Sequence, residues 1–291
     1  MNSSILSTIT AKIDSLPTLS TIVNRVMEVT ADPESSVNDL MEVITPDASL
    51  TTTILKMANS AFFGVSRTVS SLQQAVSILG FNEIQNLILA KSVFNSFKDT
   101  NAGGQFDIRR FWEHSFLCGL ASKIIAIDAR VAGDDFFVAG LIHDIGKLVI
   151  YMALPVEFMK IMEIAGAHNP GMFQIEKSNL ELTHDELGMR LLKRWMFPEN
   201  LVIAVGFHHR LEEAKEQHLY PIVVHMADIL AHLESFANDA EIFPEELLGT
   251  EIRNLWQAHG QNWDESDIKE FQHELAKRKE EEAVILNMLL S

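Results

Sequence analysis

The spacing of apolar residues along the chain is helical almost throughout. Near the N-terminus, Leu19, Ile22, Val23 and Val26 follow the i, i+3, i+4, i+7 pattern of one amphipathic helix face. No stretch alternates apolar and polar residues for long enough to predict a strand. The pattern therefore predicts an all-α protein.

Four more short helices are predicted before residue 98, which gives the N-terminal part five. Their apolar stripes are Leu40 and Ile44; Leu50, Ile54, Leu55 and Ala58; Leu72, Ala75, Val76 and Leu79; and Ile84, Leu87 and Ile88. Ser70 and Gln73 have the spacing of a capping box, and Gly80 is typical of a helix end. Residues 98–107 have loop composition, so the first boundary is placed there.

Helical spacing resumes beyond that loop. Thr183 and Glu186 predict a second capping box, while Pro198 and Pro221 predict helix starts. A further helix is expected around residues 269–282, followed by an apolar ending at 283–290. The predicted domains are thus an N-terminal helical part (1–98), packed on a helical bundle (99–237), and an acidic helical tail (238–291).

Composition narrows the class of protein. The chain has 291 residues, of which 47% are hydrophobic, and Cys118 is its single cysteine. No run approaches 18 apolar residues and no secretory signal is evident, so a cytoplasmic protein with no membrane contact is expected. The net charge of −17 argues against a nucleic-acid partner, because a phosphate backbone would be repelled.

Eleven histidines are present, and several ionisable residues fall on the apolar faces of predicted helices. The residues in such positions are His114, His143, His184, His208, His209 and Asp228. Taken singly, each of the histidines fits a core side chain bonded to a carbonyl. Together, imidazoles and carboxylates on different helices suit a divalent transition metal, and more than four ligands suggest two ions. Two ions can clamp the attacking and leaving oxygens of a phosphate ester, which indicates phosphoester hydrolysis.

Two blocks of sequence resemble known families. The run 140–147, Gly-Leu-Ile-His-Asp-Ile-Gly-Lys, resembles the central motif of HD-superfamily metal-dependent phosphohydrolases. Residues 55–64 and 71–81, with Phe-Trp-Glu-His-Ser at 111–115, resemble the HDOD family of HD-related output domains. The resemblance covers about residues 15–235 and implies an all-helical bacterial signalling module.

The resemblance also implies site residues. Ligand positions of dinuclear HD relatives match His114, His143, Asp144, His184, His208, His209 and Asp228. Lys147 matches the lysine that contacts substrate phosphate, which with Asp144 completes the candidate catalytic pair. The Gly-Tyr-Pro sequence of cyclic-dinucleotide hydrolases is missing after His209, where Arg210 follows.

Two functions from different classes are therefore predicted. The first is a regulatory HDOD protein that keeps a divalent metal site, with two ions of Fe, Mn, Zn, Ni or Mg, and acts on other signalling proteins. The alternative is an active metal-dependent phosphohydrolase with a nucleotide or other phosphoester as ligand. A homodimer through the tail is a further expectation. Near His184, the carboxylates of Glu176, Glu181 and Asp185 are candidates for orienting a ligand, but solvated surface positions are expected for them.

Overall fold

The computed structural model describes residues 3–60, 65, 67–101, 106–131, 135–166, 171–215, 217–235 and 249–290, and these form helices without a strand. The helices of the first hundred residues are α1 (Ser3–Ser15), α2 (Thr21–Ala31), α3 (Val37–Ile44), α4 (Ala48–Ala58), α5 (Leu72–Leu79) and α6 (Phe81–Phe97). The later ones are α7 (Ile108–Asp128), α8 (Phe136–Ile142), α9 (Ile145–Ala153), α10 (Pro155–Ala165), α11 (Met172–Leu180), α12 (His184–Arg194), α13 (Glu199–Phe207), α14 (Leu219–Ser235), α15 (Thr250–Ala258) and α16 (Glu265–Leu290). The all-α prediction is confirmed.

The chain divides into two compact units. One, the first unit, contains Met1–Leu16 and Asp99–Ala276; the other, the second unit, contains Pro17–Lys98 and Lys277–Ser291. Helix α16 begins in the first unit and ends in the second. The domain boundaries expected at residues 98 and 237 stay predictions.

The second unit is an apolar helical core with capped helices. Side chains of Ser20, Ser36 and Asp47 each accept a backbone N–H in the first turn of α2, α3 and α4. The predicted box of Ser70 and Gln73 is absent: the Ser71 side chain caps α5 instead, by accepting from Gln74 N. Five short helices were expected in residues 1–98, but α1 is an additional helix and α6 has 17 residues.

The end of α16 belongs to the second unit and is fixed by a lysine. Ile285, Leu286 and Leu289 are buried, so the apolar ending packs within the second unit. Lys91 Nζ donates to the carbonyls of Met288 (3.2 Å) and Leu289 (3.1 Å). A cation at these carbonyls complements the negative end of the helix dipole.

In the first unit, close crossings of helices fix the site. A Cβ at Gly146 on α9 would lie 1.9 Å from the carbonyl oxygen of His184 on α12, so only glycine permits this approach. Likewise, a Cβ at Gly140 on α8 would lie 2.5 Å from the carbonyl of Cys118 on α7. Cys118 is fully buried, as expected of a small apolar side chain.

One described stretch, Phe136–Ala153, is long and apolar enough by composition to cross a membrane. In the structure 83% of it is buried inside the protein. Helix α8 ends at Ile142 and α9 begins at Ile145, so the stretch is two core helices separated by His143 and Asp144.

Candidate metal centre

The break between α8 and α9 presents His143 and Asp144 together. The sequence pattern placed His143 on the same helix as Ala139, whereas the helix stops one residue before it. His143 Nδ1 donates to the carbonyl of Gly140 over 2.7 Å, which leaves the lone pair on Nε2. Both side chains are buried, so the turn aims a ligand pair into the protein interior.

All seven predicted ligands lie in this one region of the first unit. His114 is on α7, His184 opens α12, His208 and His209 follow α13, and Asp228 is on α14. Their donor atoms form two groups that we call the first cluster (His114, His143 and Asp144) and the second cluster (His184, His208 and His209). Within each cluster the possible ligand atoms lie within 4.8 Å of one another.

Asp144 belongs to the first cluster and also faces the second. Its Oδ2 is 3.3 Å from His143 Nε2, and its Oδ1 is 3.2 Å from His184 Nε2 and 4.0 Å from His208 Nε2. One carboxylate oxygen thus faces each cluster. Asp228 joins the first cluster, since its Oδ1 is 2.9 Å from His114 Nε2.

Hydrogen bonds orient the imidazoles of the second cluster. His184 Nδ1 donates to Glu176 Oε2 over 2.6 Å, and the same oxygen accepts the His184 backbone N–H. His208 Nδ1 donates to the carbonyl of Val205 over 2.9 Å. In both rings Nε2 is therefore the ligand atom, as is usual when a metal-binding histidine is oriented by a neighbouring acceptor.

Burial and neighbouring charges set the protonation of these groups. Burial lowers the pKa of His114 to about 4 and that of His208 to about 3, which keeps both rings neutral at pH 7. Burial would lower the pKa of His143, but the neighbouring Asp144 carboxylate raises it well above its usual value. Burial would raise the pKa of Asp144, but His143 and Lys147 hold it well below its usual value. A metal binds a neutral imidazole, so an ion held by His143 would have to displace the proton that Asp144 favours on that ring.

The donor set fits a divalent metal. His143 Nε2 and Asp144 Oδ1 are buried without a hydrogen-bond partner, and both face other possible metal ligands. Lys147 pairs with the other oxygen of this carboxylate, so Oδ1 is the atom left to face a cation. Imidazoles with carboxylates suit Zn, Fe, Mn or Ni better than Ca.

Lys147 lies on α9 one turn after Asp144. Its Nζ donates to Asp144 Oδ2 over 2.5 Å, so the lysine contacts a predicted ligand directly. Against burial, the Asp144 carboxylate raises the pKa of Lys147. The expected role of Lys147 in holding phosphate stays a prediction.

The sequence analysis was wrong about two carboxylates. Glu176 and Asp185 are fully buried, not solvated. The hydroxyl of Thr183 donates to Asp185, and Arg210 Nε donates to the same carboxylate over 2.9 Å. The predicted capping box of Thr183 and Glu186 is therefore absent: the Thr183 side chain makes no cap hydrogen bond. Asp185 and Arg210 instead tie the start of α12 to the end of α13.

Beside the second cluster there is an open cavity of about 520 Å³. His209, Arg210 and His225 line one part of it, and Gly249 and Ile252 at the start of α15 line another. His225 Nδ1 donates to the carbonyl of His208 over 2.7 Å. A ligand in this cavity would lie next to His209.

A family model described as the HDOD domain matches residues 16–211. The chain belongs to the HDOD family. This match covers the first six predicted ligands, while Asp228 and the tail lie beyond it. Membership in the family fits a regulatory role.

Known proteins resemble the HDOD chain in sequence or in fold. An uncharacterised protein of Treponema pallidum is 26% identical over 217 residues, which is 73% of this chain and 41% of that protein. The chain spans less than half the length of the curated relatives it matches first.

Two solved structures share the fold over nearly their whole lengths. An HDOD domain protein of Geobacter sulfurreducens of unknown function has a TM-score of 0.76 at 22% identity and covers 98% of this chain and 96% of its own. A Shewanella amazonensis protein, named as a candidate phosphohydrolase, has a TM-score of 0.72 at 22% identity. The match covers 97% of this chain and 98% of the Shewanella chain.

Proposed function

We propose that the chain is a bacterial, cytoplasmic regulatory HDOD protein that retains a two-ion metal centre and acts mainly through contacts with other signalling proteins. The HDOD match supports the regulatory part of this proposal, and the placement of Asp144 supports the metal centre. Its two oxygens face different clusters, 3.3 Å from His143 Nε2 and 3.2 Å from His184 Nε2. A carboxylate so placed is suited to bridge two cations.

The ligand chemistry supports two ions of Fe, Mn, Zn, Ni or Mg. His114, His143 and Asp228 would serve one ion, His184, His208 and His209 the other, and Asp144 both. Glu176 supports this assignment, because a buried carboxylate behind a ligating imidazole raises its basicity. The homodimer through the tail is a separate proposal, which sedimentation of the full chain would test.

Phosphoester hydrolysis is the second candidate, and Lys147 favours it. An ammonium group has three donors, of which one is directed at Asp144. The others would be available to a phosphate. Bound divalent ions would supply Lewis-acid stabilisation of the phosphoryl oxygens, while Lys147 would orient the group. The cavity beside His209 would hold the rest of the ligand.

One experiment separates the candidates. The protein loaded with Mn, Fe or Mg is assayed on nucleotides and on a generic phosphoester, beside Asp144→Ala and Lys147→Met. The regulatory proposal predicts loaded protein without turnover. Turnover that Asp144→Ala abolishes would establish the phosphohydrolase instead, and Lys147→Met should then raise KM for the phosphoester.

A further inference from the structure

Helix α14 carries a histidine that the family resemblance does not assign. His232 lies one turn after Asp228, and its Nδ1 is 3.1 Å from Asp228 Oδ1 and 3.0 Å from the Asp228 carbonyl. Its ring centroid is 4.4 Å from that of His114 on α7. His232 therefore adjoins two predicted ligands on two helices.

Three imidazoles surround a single oxygen at this place. Asp228 Oδ1 is 2.9 Å from His114 Nε2, 3.4 Å from His143 Nε2 and 3.1 Å from His232 Nδ1. His114, Asp228 and His232 also offer ligand atoms that all lie within 4.8 Å of one another. We call these three residues the outer triad.

These separations match those within a coordination sphere. Two donor atoms that each lie about 2.1 Å from one ion, at angles of about 90–110°, are about 3.0–3.4 Å apart. The contact of His232 with Asp228 Oδ1, at 3.1 Å, lies within that range, and the contact of His114, at 2.9 Å, lies just below it. Because His232 Nδ1 donates to the Asp228 carbonyl, ligation through this nitrogen would require an ion to take the place of its proton and the hydrogen to lie on Nε2.

The side chains of the outer triad are also more exposed than the two buried histidines of the second cluster. The exposed fractions of its side chains are 15% for His114, 12% for Asp228 and 24% for His232, against 0% for His184 and His208. An ion at this end would exchange with solvent more readily. An additional ligand there would matter for retaining it.

We infer that His232 is an eighth protein ligand of the metal centre and holds the ion at the solvent side, together with His114 and Asp228. This inference rests on the proposed metal centre. It adds a ligand from α14, beyond the part of the chain that matches the family model.

Cobalt(II) titration of the full chain tests the inference, with visible absorption as the readout and a competing chelator to measure affinity. His232→Ala should weaken one of two binding steps by at least tenfold and leave the other unchanged. The matched control is His218→Ala, because His218 Nδ1 also donates to a backbone carbonyl, that of Leu211, and His218 belongs to neither the clusters nor the outer triad. Circular dichroism of each variant verifies folding.

A second variant separates ligation from positioning. The amide of His232→Gln can still donate to Asp228, but it does not replace an imidazole ligand. If His232 ligates, this variant keeps the weakened step and an altered cobalt spectrum. Wild-type affinity and spectrum in His232→Gln, or two unchanged steps in His232→Ala, would overturn the inference alone. Absence of cobalt binding in the wild type would overturn the proposed metal centre as well.

Discussion

The two units of the protein fill their interiors in different ways. The buried polar or charged side chains described in the second unit are Glu83, Asn86, Lys91 and Glu282, in an otherwise apolar core. In the first unit, His143, Asp144, His184, His208 and Asp228 are buried together. Burying ionisable groups at one place costs free energy that an apolar core does not incur. The difference favours a packing role for the second unit and a ligand-binding role for the first.

The largest effect is expected where the first unit brings two helices together. Gly146→Ala would place a methyl group against the His184 carbonyl, so it should lower the free energy of unfolding by about 3 kcal/mol. Thermal unfolding measures the change. The control is Gly171→Ala, since a Cβ there meets nothing within 4 Å. Equal melting temperatures for the two variants would contradict the close crossing.

The next effect concerns the buried carboxylate behind the second cluster. Glu176→Gln removes the charge that orients His184, so the affinity for a divalent metal should fall by about 10–100-fold. Chelator competition measures it. Glu163 is an exposed carboxylate of the same unit, and Glu163→Gln should leave affinity unchanged. If both variants behave alike, Glu176 has no part in metal binding.

A substitution in the second unit should lower the stability of the protein and leave its metal affinity unchanged. Lys91→Met loses the two hydrogen bonds to the end of α16, which should cost about 1.5–3 kcal/mol of stability. Because Lys91 lies outside the unit with the clusters, metal affinity should not change. Urea unfolding and metal titration of the same sample check both parts, with exposed Lys98→Met as control. A loss of metal binding would break the division of roles between the units.

The smallest effect distinguishes the observed helix cap from the predicted one. Ser71→Ala removes the side chain that accepts from Gln74 N, so it should cost about 1 kcal/mol. Ser70→Ala should cost less, because the Ser70 backbone N–H still donates to the Gln74 side chain. Urea unfolding of both variants decides between them. A larger loss in Ser70→Ala would restore the predicted box.

Periodicity predicted helices α2 to α5 well, because each has one buried stripe and a clear start. It did not predict the break at His143 and Asp144, since apolar residues continue on both sides. Nor did it find that Glu176 is buried: its partner, His184, lies eight residues away on the next helix. Sequence periodicity shows which residues face inward, but the burial of a polar side chain depends on its partner on another helix, which periodicity does not identify. His232 had a usable signal, its spacing of four from Asp228 on one helix face.

The central claim, that the buried histidines and carboxylates form a metal centre, is tested most directly by metal content. Purified protein is loaded with Mn or Fe, dialysed and analysed by atomic emission beside Asp144→Ala. Since Asp144 faces both clusters, we predict two equivalents in the wild type and a loss of at least one in the variant. Less than one equivalent in the loaded wild type would contradict the account.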